Sequence, residues 1–279
     1  MLFSVLCRGG TLSAGETSRP TILVSIAPYK FFVERIAGNT VDVEVLVPPG
    51  ASLHSYEPSI KQVLRIGTAN LWLRLGDPTE IKTLAALQTH NPRLMIVDLR
   101  QNLPLINVNH HEADPHIWLS PRLVKIQAET ITSSLIDLLP NNQVKYVHNL
   151  QSLIKELDAL DKEITQQLRF LKNRKIMVSH PAYSYFCRDY DLQQLAIEHE
   201  NKEPSPQQLT LIIEKARKSN IEMIFVQVQH NYKGAAIIAK EIEAITIILD
   251  PYSEEYIDMM RKIARCFSGE CYESSPQDR

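Results

Sequence analysis

The chain has 279 residues, 44% apolar and 22% charged, enough for one large α/β domain or two compact lobes. Thirty Lys plus Arg against 32 Asp plus Glu leave a net charge of −2, so the overall balance gives no electrostatic basis for binding nucleic acid or an anionic membrane surface. No apolar run reaches the roughly 18 residues of a membrane span.

Residues 1–20 are small and polar after a short apolar start and read as the remnant of an export signal, outside the fold. Cys7 lacks the small residue before it that lipid attachment wants, so an ordinary signal is favoured over a lipid anchor. From Thr21 onward short β-rich runs alternate with helical patterns: TILVSIA, VDVEVLV, LWLRL and RLMIVDL. This series predicts an α/β lobe over residues 21–142. Next, Leu150, Leu153, Leu157, Leu160, Ile164, Leu168 and Leu171 recur at steps of three and four, predicting one long helix over 143–171. At 1.5 Å per residue it would extend roughly 44 Å, the height of both lobes, and an intramolecular strut fits better than a coiled coil. The second series, KIMVS, LQQLAI, EMIFVQV and AITIILD, predicts a C-terminal α/β lobe over 172–279. Ser120-Pro121 and Ser205-Pro206 mark helix starts, each a capping hydroxyl before proline. Glu57 and Glu203, each ahead of a proline, are expected to favour a helix dipole.

Among nine histidines, position matters more than number. His54 follows the VDVEVLV strand, His180 closes the KIMVS strand, and Asp250 closes the AITIILD strand. His116 reaches the same edge from the loop Asp114-Pro115-His116. In open α/β sheets ligands gather beyond the carboxyl ends of strands, where residues distant in sequence converge. Three imidazoles and a carboxylate suit a borderline ion such as zinc, whereas manganese prefers more carboxylate oxygen. There is no HExxH and no CxxC, so such a site must be assembled from distant segments. Ser179-His180 is a poor nucleophile and base pair, since neighbours on a strand face opposite ways. Trp72 and Trp118 are expected in the core or cleft wall, and Cys187 as a buried small hydrophobe. Cys266 and Cys271 flank Ser268-Gly269, a turn able to bring them within disulfide reach in an oxidising compartment; two free thiols are the alternative. The absence of a Walker sequence assigns any ATP hydrolysis to another subunit.

The strings PPGASLHSYEP, ADPHIWLSP, VSHPAYSYF, EPSPQQL and LDPYSEEY, in that order, resemble the landmarks of the TroA-like family of periplasmic zinc- and manganese-binding proteins of ABC importers. The resemblance covers about residues 21–265. It implies two pseudo-symmetric lobes with mostly parallel sheets, bridged by one long rigid helix, with the metal in the cleft between them. It implies His54, His116, His180 and Asp250 as ligands of zinc foremost, with manganese or iron as alternatives, and no catalysis. Manganese-selective members often carry glutamate where this chain has His180. Delivery to a membrane permease with a separate ATPase subunit, a monomeric state and a periplasmic location are further implications. The His- and acid-rich loop of zinc-specific relatives is cut here to residues 107–112, where His110, His111 and Glu112 could recruit a weaker second ion, and Leu53 stands where some members carry an extra acid. A mononuclear zinc hydrolase and a surface adhesin with a structural metal are the rival readings.

Overall fold

The computed structural model describes residues 19–108, 112–198, 202–230 and 233–271. The expected signal remnant, apart from Arg19 and Pro20, and His110 and His111 lie outside the described residues. All eight expected runs form strands: β1 (Thr21–Val24), β2 (Asp42–Val45), β3 (Leu71–Arg74), β4 (Met95–Asp98), β5 (Lys175–Val178), β6 (Gln193–Ala196), β7 (Met223–Gln227) and β8 (Ile245–Leu249). They make two four-stranded sheets, ordered β2-β1-β3-β4 and β6-β5-β7-β8, with every pairing parallel. The same order twice is the expected pseudo-symmetry. Parallel strands need crossovers that cover both faces, which is why Ile22, Leu23 and Val24 are all fully buried rather than alternating. In each sheet the order reverses beside the first strand, opening a crevice at the carboxyl ends.

The crossovers are α1 (Ala27–Ala37), α2 (Ile60–Ile66) and α3 (Glu80–His90) in the first sheet and α6 (Ser184–Asp189), α7 (Pro206–Lys218) and α8 (Lys233–Ile242) in the second; α4 (Pro121–Leu138) and α5 (Gln143–Leu168) link the sheets, and α9 (Tyr256–Phe267) follows β8. None is long and apolar enough to cross a membrane. Ser120 caps α4 by accepting from the Leu123 amide, and Ser205 caps α7 in a full capping box with Gln208. The two acids expected at helix starts fall short of them. Helix α2 begins after Ser59 and α7 after Ser205, so Glu57 and Glu203 stand ahead of the caps, and Glu57 instead pairs with exposed Lys82 at 2.7 Å.

The strut is α5, 26 residues and about 39 Å long. It buries Tyr146, Leu153, Leu157, Leu160, Ile164 and Leu168, with Leu150 packed at the margin. It stops three residues before the predicted end because the chain must reverse into β5. The Leu171 amide turns back to the Leu168 carbonyl, and the Arg174 guanidinium fastens the carbonyls of Arg169 and Tyr190. Helix α5 packs against α1, α4 and α9. One apolar core therefore runs unbroken from Ile22 through Leu157 to Phe267, and a smaller one lies under α7 and α8 around Ile224 and Ile238. Polar contacts also join the halves: the Trp118 indole donates to the Pro251 carbonyl (2.8 Å), and the Tyr256 hydroxyl to the Trp118 carbonyl (2.9 Å). Cys266, in the last turn of α9, forms a disulfide with Cys271 just past it, and Cys187 is free and buried.

Candidate metal centre

Three histidines meet at the mouth of the crevice. His54 sits in a tight turn after β2, where the amides of Ser55 and Tyr56 both return to the Ser52 carbonyl and buried Leu53 anchors the loop in the core. His116 precedes a single 3-10 turn, Ile117–Leu119, and its backbone amide is held by the Asp114 carboxylate at 3.0 Å. His180 leaves β5, which is pinned to β7 by the Ser179 amide on the Phe225 carbonyl. Their Nε2 atoms converge: His54 to His116 is 3.1 Å and His116 to His180 is 3.3 Å. The distal Nδ1 of each ring rests on a carboxylate, His54 on Asp77 (2.7 Å), His116 on Asp114 (2.7 Å) and His180 on Glu198 (3.1 Å).

This wiring fixes the chemistry. A ring that donates its Nδ1 proton to a carboxylate presents a bare lone pair at Nε2, so three lone pairs face one point. Such an arrangement is repulsive by itself and favourable around a Lewis acid. Ligand distances of about 2.0–2.1 Å in a tetrahedron put nitrogens about 3.3–3.4 Å apart, close to the spacings observed.

Electrostatics set the same protonation states. Burial lowers the pKa of His116 despite the nearby Asp114, and burial with three neighbouring imidazoles drives His180 far down, so both stay neutral. Burial raises Asp77 and Asp114, but hydrogen bonds and charge from His54 and His116 outweigh it, and both acids end below the usual carboxylate range. Glu198 is pushed up to about 7 by burial and by Glu203 nearby. The Ser179 hydroxyl is buried without a hydrogen-bond partner, so it forms no nucleophile and base pair with His180. Trp118 lines the site, its ring 5.2 Å from His116, whereas Trp72 is core, its indole donating to Ser25.

Asp250 stands apart from this trio. It follows β8 directly as an exposed residue, and its Oδ1 accepts from the Gln229 side chain (2.5 Å) and the Tyr252 amide (3.0 Å). The groupings of donor atoms within 4.8 Å of one another are His54, His116, His180 and, beside it, His180, Glu198, His230, among the described residues. Sequence reasoning missed Asp77, Asp114, Glu198 and His230. One signal was available: each lies within a few residues of a strand's carboxyl end or of a histidine of the trio, the rule that found the other histidines.

A family model described as zinc-uptake complex component A, periplasmic (ZnuA), matches residues 22–268. The chain belongs to this family. A protein of Chlamydia trachomatis serovar D with a provisional metal-binding name is 33% identical over 276 residues, covering 96% of this chain and 97% of its own. A crystal structure of ZnuA superposes with a TM-score of 0.88 at 37% identity, covering 91% of this chain and all of that one. The periplasmic zinc-binding protein TroA from Treponema pallidum, 19% identical, shares the fold with a TM-score of 0.84 over 92% of this chain and all of its own. Membership of this metal-uptake family agrees with a metal-binding rather than an enzymatic chain.

Proposed function

We propose that this protein captures one divalent transition-metal ion, zinc foremost with manganese or iron as lesser alternatives, in the extracytoplasmic space, and passes it to a membrane permease driven by a separate ATPase. The observation that carries this reading is the convergence of three Nε2 lone pairs, each imidazole braced from behind by a carboxylate. In this reading His54, His116 and His180 hold the ion. Asp250 leaves Gln229 to supply the fourth, oxygen ligand and close a tetrahedral set. The protein acts as a monomer and transforms nothing. Release requires the permease, or proton competition for the imidazoles, to loosen the bonds.

The test is zinc titration against a competing chelator with the wild type, His116→Ala and Asp250→Ala. The expected outcome is one zinc per chain, loss of tight binding in His116→Ala, and intermediate weakening in Asp250→Ala. Unaltered binding in His116→Ala refutes the site. One feature favours a second reading: with Asp250 bonded to Gln229, the trio leaves a fourth position, as in zinc hydrolases that activate water. Zinc-dependent hydrolysis of ester, phosphate or amide substrates that vanishes with chelator would favour that reading.

A further inference from the structure

A second set of donors borders the trio on the side of β7. His230 lies three residues past the end of β7, and its ring stacks on His180 with centroids 4.0 Å apart and planes 17° apart. Its Nδ1 is 3.6 Å from Glu198 Oε2, the same oxygen that holds His180 Nδ1 at 3.1 Å, and its Nε2 is 3.5 Å from the Ser52 hydroxyl. Donor atoms of His180, Glu198 and His230 all lie within 4.8 Å of one another. The His230 side chain is 11% exposed against 2% for His180, so it stands nearer to solvent.

The stack restricts what these groups can do together. An imidazole lone pair lies in the ring plane, so two nearly parallel rings cannot both aim at one ion without one of them turning. His180 is fastened through its Nδ1 to Glu198 at 3.1 Å and is 2% exposed. His230 is held loosely, because contacts of 3.5 and 3.6 Å are at or beyond the limit of a good hydrogen bond. His230 is therefore the ring that turns. Because His180 is common to both sets and a neutral imidazole offers one lone pair, the two positions are filled in succession rather than together, the ring proton resting on Nε2 while Nδ1 serves the outer position and on Nδ1 while Nε2 serves the inner one.

We propose that His230 and Glu198, with His180 shared, form an outer metal position that an incoming divalent ion occupies before it passes to the inner trio. Two nitrogens and a carboxylate suit the same borderline ions as the trio, with water completing the shell. The proposal rests on the inner-site reading above. It assigns His230 a role in the rate of capture, with the ion handed across the face of His180.

The probe is zinc alone, added to metal-stripped protein. Four proteins are compared: wild type, His230→Phe, which keeps a stacked ring without donors, His54→Ala/His116→Ala, and that double variant with His230→Phe added. His230→Phe is expected to take up zinc, followed by stopped flow, about threefold or more slower than wild type. The double variant is expected to retain one weak zinc, and adding His230→Phe to weaken it by about threefold or more. A smaller change in either comparison overturns the proposal. If the double variant does not fold, the uptake comparison alone decides. Failure of the inner site looks different: wild type would bind no zinc, or the double variant would bind as tightly as wild type.

Discussion

Replacing Asp114 by Asn isolates what the bracing carboxylates contribute. Asp114 is 2% exposed, and its Oδ1 accepts both the ring Nδ1–H (2.7 Å) and the backbone N–H (3.0 Å) of His116. Its backbone is tied independently, the amide to the Ile106 carbonyl and the carbonyl to the Tyr185 hydroxyl, both at 2.8 Å. Asparagine has the same shape, and its oxygen can still accept from Nδ1, so the ring keeps its tautomer and only the charge is lost. A buried charge-assisted hydrogen bond contributes about 1.5–3 kcal/mol against about 0.5–1.5 for a neutral one. The carboxylate also raises the basicity of the imidazole that faces the ion. Removing such a partner costs roughly 10- to 100-fold in metal affinity, or about 1.4–2.7 kcal/mol. The assay is equilibrium competition for zinc against a chelator at pH 7, with near-ultraviolet circular dichroism to confirm that the fold is unchanged. A loss below about threefold would mean that the carboxylate orients His116 without tuning it.

Four other outcomes are expected. In metal-free protein, stability should fall as pH drops from about 6.5 towards 4.5. Burial lowers His116, His180 and His230, the last to about 4 with help from the imidazoles of His54 and His116, so each takes up a proton less readily folded than unfolded. Glu198, held at about 7, acts with the opposite sign, binding its proton in the folded state. The three histidines outnumber it, so falling pH favours the unfolded chain, and urea midpoints that stay flat between pH 6 and 5 would contradict this. Leu157→Ala, at a fully buried position on α5, should cost about 2–5 kcal/mol and lower both halves in one transition, whereas two separate calorimetric transitions would show independent cores. Zinc at about 1,000 times its dissociation constant should stabilise an already folded apoprotein by about 4 kcal/mol, and an apoprotein that is unfolded at 25 °C would instead point to a structural ion. His180→Glu should shift relative preference from zinc towards manganese in a competitive titration, and an unchanged ratio would show that ligand type does not set selectivity.

The strands and the strut were legible because each is dictated locally. Runs such as Ile22-Leu23-Val24 have no way to be half-exposed, and the leucines of α5 repeat at the helical period over about five turns. The histidines were legible because strand ends are where such sheets gather ligands. The carboxylates behind them were not, since 32 acidic residues compete for attention and only tertiary structure brings Asp77 and Glu198 up to rings 23 and 18 positions away. Asp114 was closer to hand, two residues before His116, but its short sequence distance does not reveal that one oxygen serves both the ring and the amide. His230 escaped because a lone histidine beyond a strand reads as an ordinary loop residue until the stack with His180 is seen.

A body whose halves share one hydrophobic interior cannot swing wide to let its cargo in or out. The Trp118 and Tyr256 bonds across the divide add stitches that a large rotation would have to cut, each in a place where water cannot replace them. Under the proposed delivery to a permease, the signal that the ion is bound must therefore be written in a few side chains and turns at the rim, and the permease must touch that rim directly to read it.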